Sequence, residues 1–159
     1  KMQEDHSTFM SEAVNCSHHA IDNKVGGPFG CVIVKDNKII AKGWNTVTTS
    51  NDPTAHAEVN CIRKACQELN NFKLEGCILY TSCEPCPMCL SAIYWARIEK
   101  IYYGNSRVDA ANIDFDDNFL YEEIKTPIEK RKIPIVQIGR DDAIKAFEKW
   151  AKSLDKVEY

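Results

Sequence analysis

The chain has 159 residues, of which 44% are hydrophobic and 27% are charged, with a formal net charge of −3 and a pI near 5.8. These values are ordinary for a globular protein with a core of its own, so we predict a single domain over residues 1–159. The acidic balance argues against a surface made to contact phosphates, and nucleic acid is not the expected partner. Every apolar run is far shorter than the roughly 20 residues of a membrane span, so no association with a membrane is expected.

Eight cysteines are many for this length, and their even number is compatible with a disulfide framework. The first residues, Lys1–Asp5, lack the apolar stretch of a signal peptide. We therefore expect reduced thiols and a cytoplasmic protein. Five cysteines lie in apolar periodic segments, where a free cysteine behaves as a small buried hydrophobe; these are Cys16, Cys31, Cys61, Cys66 and Cys77.

The first half of the chain predicts a helix, a β-hairpin and a second helix. Apolar residues recur at helical spacing in the two helical segments, and Asp36-Asn37-Lys38 is a short hairpin signal between two strands. Asp52-Pro53 is typical of a helix entry. The predicted elements are a helix over 7–22, strands over 31–34 and 39–44, a polar loop over 45–54 and a helix that continues to residue 69.

The second half predicts three further strands, separated by helices. Cys77-Ile-Leu-Tyr80 is apolar throughout, as expected for a strand buried on both faces. The other elements are a helix over 85–96, a strand over 98–104, helical turns near 115–124, a strand over 134–138 and a helix over 141–154. This order favours an α/β fold, a three-layer α-β-α sandwich with a five-stranded mixed sheet.

Cysteines that could bind a metal begin the helix after residue 85. Cys86 and Cys89 lie three residues apart and share one helix face, near the positive end of the helix dipole. His56 lies at the start of the other helix that follows a proline, and both helices follow strands, so their first turns can meet at one sheet edge. Three ligands leave the fourth tetrahedral position open, which is typical of catalytic zinc. Cys83 is the competing ligand.

Glu58 lies two residues after His56, so the two side chains are about 200° apart on an ideal helix. Both can still reach a metal above the first turn. Two thiolates would neutralise Zn²⁺ and weaken its effect on a bound water, so a nearby carboxylate that accepts the proton makes chemical sense. A His-x-Glu alone is common on exposed helices, and a Cys-x-x-Cys alone can be structural or redox-active. Together, with Pro-Cys-x-x-Cys, they form the signature of zinc deaminases that act on nucleobases.

At these residues the chain resembles the cytidine deaminase-like superfamily and, within it, the guanine deaminases of this fold. The zinc signature alone admits cytosine, cytidine, the adenosine of a tRNA, or guanine as the substrate. Phe115-Asp116-Asp117 and Tyr159 are similar to the guanine branch. The stretches that carry the resemblance are 26–30, 48–58, 80–89, 93–97 and 115–117.

The resemblance implies one Zn²⁺ per subunit, held by His56, Cys86 and Cys89, with Glu58 as the catalytic proton shuttle. The implied reaction is hydrolytic: activated water attacks C2 of guanine, Glu58 transfers protons, and xanthine and ammonia are released. The function would belong to purine catabolism or salvage.

The resemblance also implies a set of purine-binding residues. Asn45 would hydrogen-bond the purine and Phe29 would stack on its ring, although Phe29 could also be a core aromatic. Trp95 would line the pocket or be a buried helix aromatic, and Asp117, or its neighbour Asp116, would contact the exocyclic amino group. The terminal Tyr159 would close the pocket, in some family members from the partner subunit of a domain-swapped homodimer.

Three alternatives remain open from the sequence. A guanosine deaminase would need room for ribose in the same pocket. A tRNA adenosine deaminase shares the His and Cys blocks but favours basic grooves and tails, whereas the C-terminal residues here are of mixed charge. A non-catalytic zinc-binding module would have no use for Glu58 as a proton shuttle.

Overall fold

The computed structural model describes residues 5–159. The expectation that the chain has no signal peptide was based on Lys1–Asp5, and residues 1–4 of that stretch lie outside the described part. Two compact units are present, residues 1–117 and 118–159, and the single domain over residues 1–159 stays a prediction. The helices are α1 (His6–Asp22), α2 (Val47–Ser50), α3 (Ala57–Leu69), α4 (Pro87–Trp95), α5 (Arg107–Ala111), α6 (Asn118–Lys125) and α7 (Arg140–Ala151), with a 3₁₀ turn at Ile128–Lys130. The strands are β1 (Gly30–Lys35), β2 (Lys38–Trp44), β3 (Cys77–Cys83) and β4 (Lys100–Asn105).

The first unit contains a mixed sheet with the strand order β2-β1-β3-β4. β1 is antiparallel to both β2 and β3, and β3 is parallel to β4. The predicted hairpin is present: Asp36 and Asn37, at φ 49° and 64°, form the left-handed two-residue turn that suits twisted strands.

The prediction of a five-stranded sheet was wrong, because the sheet has four strands. The expected fifth strand, over 134–138, belongs to the second unit and pairs with no strand among residues 5–159. Its apolar side chains are exposed, with Ile138 at 91%. Pro134 has no backbone N–H to donate to a neighbouring strand. The apolar run has a high strand propensity, but propensity alone does not provide a neighbouring strand to pair with.

Helices cover both faces of this sheet, which confirms the predicted α-β-α sandwich. Alternate residues of β1 enter different cores, since Val32 and Val34 face α1 whereas Cys31 and Ile33 face α3 and α4. The core on the α1 side contains Phe9, Ala13, Cys16, Val32, Val34 and Tyr80. The core on the other side contains Cys31, Ile33, Ala41, Ala57, Cys61, Ala65, Leu74, Cys77, Leu79, Ile93 and Ala96.

Both helices that carry the candidate ligands begin later than predicted. α3 begins at Ala57 because Asp52 first forms a turn, in which its Oδ1 accepts a hydrogen bond from Thr54 N at 2.9 Å. α4 begins at Pro87 because the preceding Cys86 is extended (φ −67°, ψ 169°), the conformation that a following proline favours. His56 and Cys86 are therefore N-cap residues.

The second unit contains α6, the 3₁₀ turn and α7. Among residues 118–159, all of which are described, none is buried. Within the described part of the chain, no helix combines the length and the apolar character needed to cross a membrane. All eight cysteines have free thiols.

Candidate active site

His56, Cys86 and Cys89 form one cluster at the starts of α3 and α4. The Nδ1 atom of His56 lies 3.6 Å from Cys86 Sγ and 3.5 Å from Cys89 Sγ. A tetrahedral zinc with Zn–S of about 2.3 Å and Zn–N of about 2.0 Å would separate N from S by about 3.5 Å. The donor set and its spacing therefore fit zinc, with the fourth position left for water or substrate.

Cys83 is not part of this cluster. Its side chain is buried, and its Sγ lies 3.9 Å from the carbonyl oxygen of Ser106. Burial raises the pKa of the Cys83 thiol to about 11. The geometry therefore favours Cys86 and Cys89, together with His56, as the metal ligands and not Cys83.

Close packing of α3 on β2 positions His56. A Cβ atom on Gly43 of β2 would lie 2.7 Å from the carbonyl oxygen of Ala57, so only glycine allows the first turn of α3 to approach this closely. Asn60 adds a clamp, because its Nδ2 donates to Trp44 O at 2.8 Å and to Ala55 O at 3.3 Å. We did not predict Asn60; an asparagine inside a helix, where its propensity is poor, was the available signal.

The cysteines of the cluster differ in their readiness to ionise. The pKa of Cys86 is lowered to about 4, chiefly by a hydrogen bond from Cys89 and also by one from His56. The pKa of Cys89 is raised because it hydrogen-bonds Cys86 and is buried. The pKa of His56 is raised mainly by its hydrogen bond with Cys86. The protein thus holds one thiolate in place, and a cation is what would stabilise the second.

Glu58 is buried in the first turn of α3, with 6% of its surface exposed. Burial is the largest cause that raises its pKa, to about 7, and the negative charge of Cys86 adds to the effect. A carboxyl group with this pKa can both hold and release a proton near neutral pH. This placement beside the cluster is what a proton shuttle requires.

Asn45 lies buried directly after β2, with 6% exposure. Its Oδ1 accepts hydrogen bonds from Val47 N at 3.0 Å and Gly27 N at 3.2 Å. These two donors fix the orientation of the amide, and Nδ2 has no hydrogen-bond partner among residues 5–159. Asn45 can therefore offer a donor to a ligand.

Phe29 is half-buried next to Asn45, whose backbone N–H donates to Phe29 O at 3.1 Å. The Phe29 ring meets the ring of Phe115 edge to face, with centroids 5.0 Å apart and an interplanar angle of 89°. One aromatic residue was predicted here, and the structure brings two together. The sequence signal for Phe115 was its place directly before Asp116 and Asp117.

Of the two neighbouring acids, Asp117 is the more buried, with 17% of its side chain exposed, whereas Asp116 is exposed. Its Oδ1 lies 3.4 Å from Arg107 Nε. Burial raises the pKa of Asp117, and the Arg107 guanidinium opposes this rise. We did not predict Arg107.

Trp95 and Tyr159 are exposed, at 60% and 72%. Trp95 lines a surface cavity of about 480 Å³ in which none of the three metal ligands takes part; its other lining residues are Leu90, Ser91, Tyr94 and Arg97. Tyr159 belongs to the second unit. The roles of both residues stay predictions.

Residues 3–105 match the family model of the cytidine and deoxycytidylate deaminase zinc-binding region, and this range includes all three cluster residues and Glu58. The chain belongs to this zinc-binding deaminase family. One member, guanine deaminase from Bacillus subtilis, is 53% identical over 98% of this chain and 99% of its own length. The crystal structure of that enzyme has a TM-score of 0.95 with the same coverage.

Two more distant relatives are named for different substrates. A tRNA-specific adenosine deaminase from Buchnera aphidicola is 33% identical over 92% of this chain and 94% of the relative. A solved structure of guanine deaminase from Nitrosomonas europaea is 26% identical, covers 74% of this chain and 68% of that one, and has a TM-score of 0.68. One zinc ion per subunit, as this zinc-binding family implies, agrees with the single cluster of His56, Cys86 and Cys89 among the described residues.

Proposed function

We propose that this protein is a zinc-dependent guanine deaminase, which hydrolyses guanine to xanthine and ammonia. The observation that carries the proposal is a buried carboxylate, Glu58, beside a three-ligand cluster whose fourth position is open. Likeness to the guanine deaminase of Bacillus subtilis over 98% of the chain supports guanine as the base. The tRNA deaminase relative is less similar, and the net charge of −3 does not favour a polyanionic substrate.

When bound, zinc supplies Lewis-acid activation of a water molecule. Glu58 accepts a proton from that water, since its pKa of about 7 lets it take up and release protons near neutral pH. The same carboxyl group gives this proton to a ring nitrogen, then takes up the second proton, from the hydroxyl group added at C2, and delivers it to the departing amine. Because Glu58 is buried, its proton passes to the substrate rather than to bulk water.

The purine is recognised by Asn45, Asp117 and Phe29. Asn45 Nδ2 donates to an acceptor on the purine ring, because the two backbone N–H groups on Oδ1 leave only the donor available. Asp117 accepts from the exocyclic amino group, which distinguishes guanine from purines without one. Phe29 stacks on the ring and is itself supported edge-on by Phe115.

A second copy of the chain completes the assembly, as a homodimer that exchanges its C-terminal segment. None of residues 118–159 is buried, although this unit is rich in apolar side chains that cannot form a core by themselves. In the first unit, Tyr94 and Trp95 expose a second apolar surface on α4. Tyr159 of the exchanged segment would close the pocket. The exposed apolar residues of the second unit include Ile133, Ile135, Val136, Ile138, Phe147, Trp150, Leu154 and Val157.

A cytoplasmic location agrees with the state of the cysteines. All eight are free, and five that lie outside the metal cluster are almost fully buried, namely Cys16, Cys31, Cys61, Cys77 and Cys83. Thiols of this kind persist in a reducing compartment.

Ammonia release from guanine, guanosine, cytosine, adenine and tRNA, measured side by side on the zinc-loaded protein, tests the substrate. We expect guanine to be the preferred substrate, because Asn45 and Asp117 complement a purine with a carbonyl and an amino group. Turnover of guanosine but not of guanine would replace the proposal with a nucleoside deaminase. Zinc binding without ammonia from any of the five would indicate a non-catalytic zinc-binding module.

A further inference from the structure

Helix α5 is fastened to the loop that carries Cys86. Glu84, two residues before Cys86, donates its backbone N–H to Asn105 O at 2.8 Å. The Oε1 atom of Glu84 accepts from the backbone N–H of Arg107 at 3.1 Å. The start of α5 therefore keeps a fixed position relative to the metal-binding loop.

The side chain of Arg107 extends from this fixed start to Asp117. Its Nε lies 3.4 Å from Asp117 Oδ1, and the exposed fractions of the two side chains are 34% and 17%. Such an ion pair is less screened by water than one at the surface. The other carboxylate oxygen, Oδ2, has no side-chain partner within residues 5–159.

We propose that Arg107 is a positioning residue, which holds Asp117 so that Oδ2 faces the exocyclic amino group of the purine. This inference rests on the proposed guanine deaminase activity. Without the guanidinium, Oδ1 would lose its side-chain partner, and the nearby negative charge of Cys86 would disfavour the ionised carboxylate. Burial raises the pKa of Asp117, and the Arg107 guanidinium opposes this rise. Arg107 therefore favours the ionised carboxylate, which is the form that accepts hydrogen bonds, in agreement with this role.

Variants at Arg107 test the proposal with two purine ligands, guanine and hypoxanthine, which lacks the amino group. Arg107→Ala should lower kcat/KM for guanine about 10- to 100-fold, the range expected for a hydrogen bond to a charged group. The inhibition constant of hypoxanthine against guanine and the zinc content should stay unchanged. Arg107→Lys keeps the charge and should recover part of the loss. Arg63→Ala is the matched control, because Arg63 forms an exposed pair with Asp52 at 3.9 Å, and it should behave as the unmodified protein.

Equal weakening of guanine turnover and hypoxanthine binding would indicate a merely structural role and overturn the inference, as would unchanged kinetics of Arg107→Ala. If Arg107→Ala does not fold, the same comparison of the two purines on Arg107→Lys decides. If the unmodified protein does not deaminate guanine, the proposed function fails, which is a different result from an active enzyme that does not need Arg107.

A double-mutant cycle with Asp117→Asn tests whether Arg107 acts through Asp117. In the Asp117→Asn background, Arg107→Ala should cause little further loss of guanine kcat/KM, because the carboxylate it positions is gone. Losses that multiply in the double variant would show that Arg107 acts independently of Asp117 and would contradict the proposal.

Discussion

At the scale of single residues, the site depends on opposite pKa shifts of two acidic groups, Cys86 and Glu58. Hydrogen bonds from Cys89 and His56 hold Cys86 as a thiolate, with a pKa of about 4, whereas burial keeps the pKa of Glu58 near 7. One group is therefore ready to bind a cation and the other is ready to carry a proton. Substitutions should separate these two roles.

Glu58→Gln tests the role of the proton carrier. The amide keeps the shape of the side chain but cannot accept the proton, so we expect guanine turnover to fall by about two to four orders of magnitude. The zinc content should stay unchanged, because Glu58 is not a ligand in the cluster. Glu68→Gln, exposed on the same helix, is the control and should keep full activity. Normal ammonia release by Glu58→Gln would exclude Glu58 as the shuttle.

The residues that could be predicted from sequence are those whose spacing carries their chemistry. His56, Glu58, Cys86 and Cys89 belong to two short motifs, and the structure brings the three ligands together as expected. Arg107 lies outside those motifs, and its importance depends on a contact with Asp117 that only the folded turn after α5 creates. Spacing along the chain does not reveal a contact of this kind.

At the scale of elements, the order of the first unit was predictable because alternating and helical apolar patterns distinguish strands from helices. The residues at which the helices begin were less predictable. Pro53 and Pro85 were predicted to mark the starts of the two helices. A turn at Asp52 delays the start of α3, and Pro87 is the first residue of α4. The delay has a functional consequence, since it makes His56 and Cys86 N-cap residues whose side chains face each other.

The fifth strand was the error at this scale, and it arose from the same rule that succeeded elsewhere. The residues over 134–138 have strand composition, but a strand exists only where a neighbour supplies backbone partners. Residues 5–159 of one chain supply none to this segment. Its exposed apolar side chains are instead consistent with the proposed exchange between two chains.

At the scale of the whole molecule, the exchange of C-terminal segments predicts complementation between two inactive variants. One variant carries Glu58→Gln with Tyr159 intact, and the other keeps Glu58 but lacks Tyr159. In a swapped dimer, a mixed pair has one site with both groups, so after unfolding and refolding together an equal mixture should recover about a quarter of the unmodified guanine activity.

Each variant refolded alone is the control and should stay at its own low activity. A variant without Tyr159 that is fully active would discard the pocket-closing role. No recovery in a mixture whose mass is twice the 18.1 kDa of one chain would show that Tyr159 acts within its own subunit.

The most direct test of the central claim, zinc-dependent deamination of guanine, is a zinc titration of chelator-treated protein with guanine as the substrate. Xanthine and ammonia should appear in equal amounts, and their rate should rise with added zinc and level off at one ion per chain, because His56, Cys86 and Cys89 form one cluster. Full turnover of guanine by the metal-free protein, or no xanthine at any zinc concentration, would contradict it.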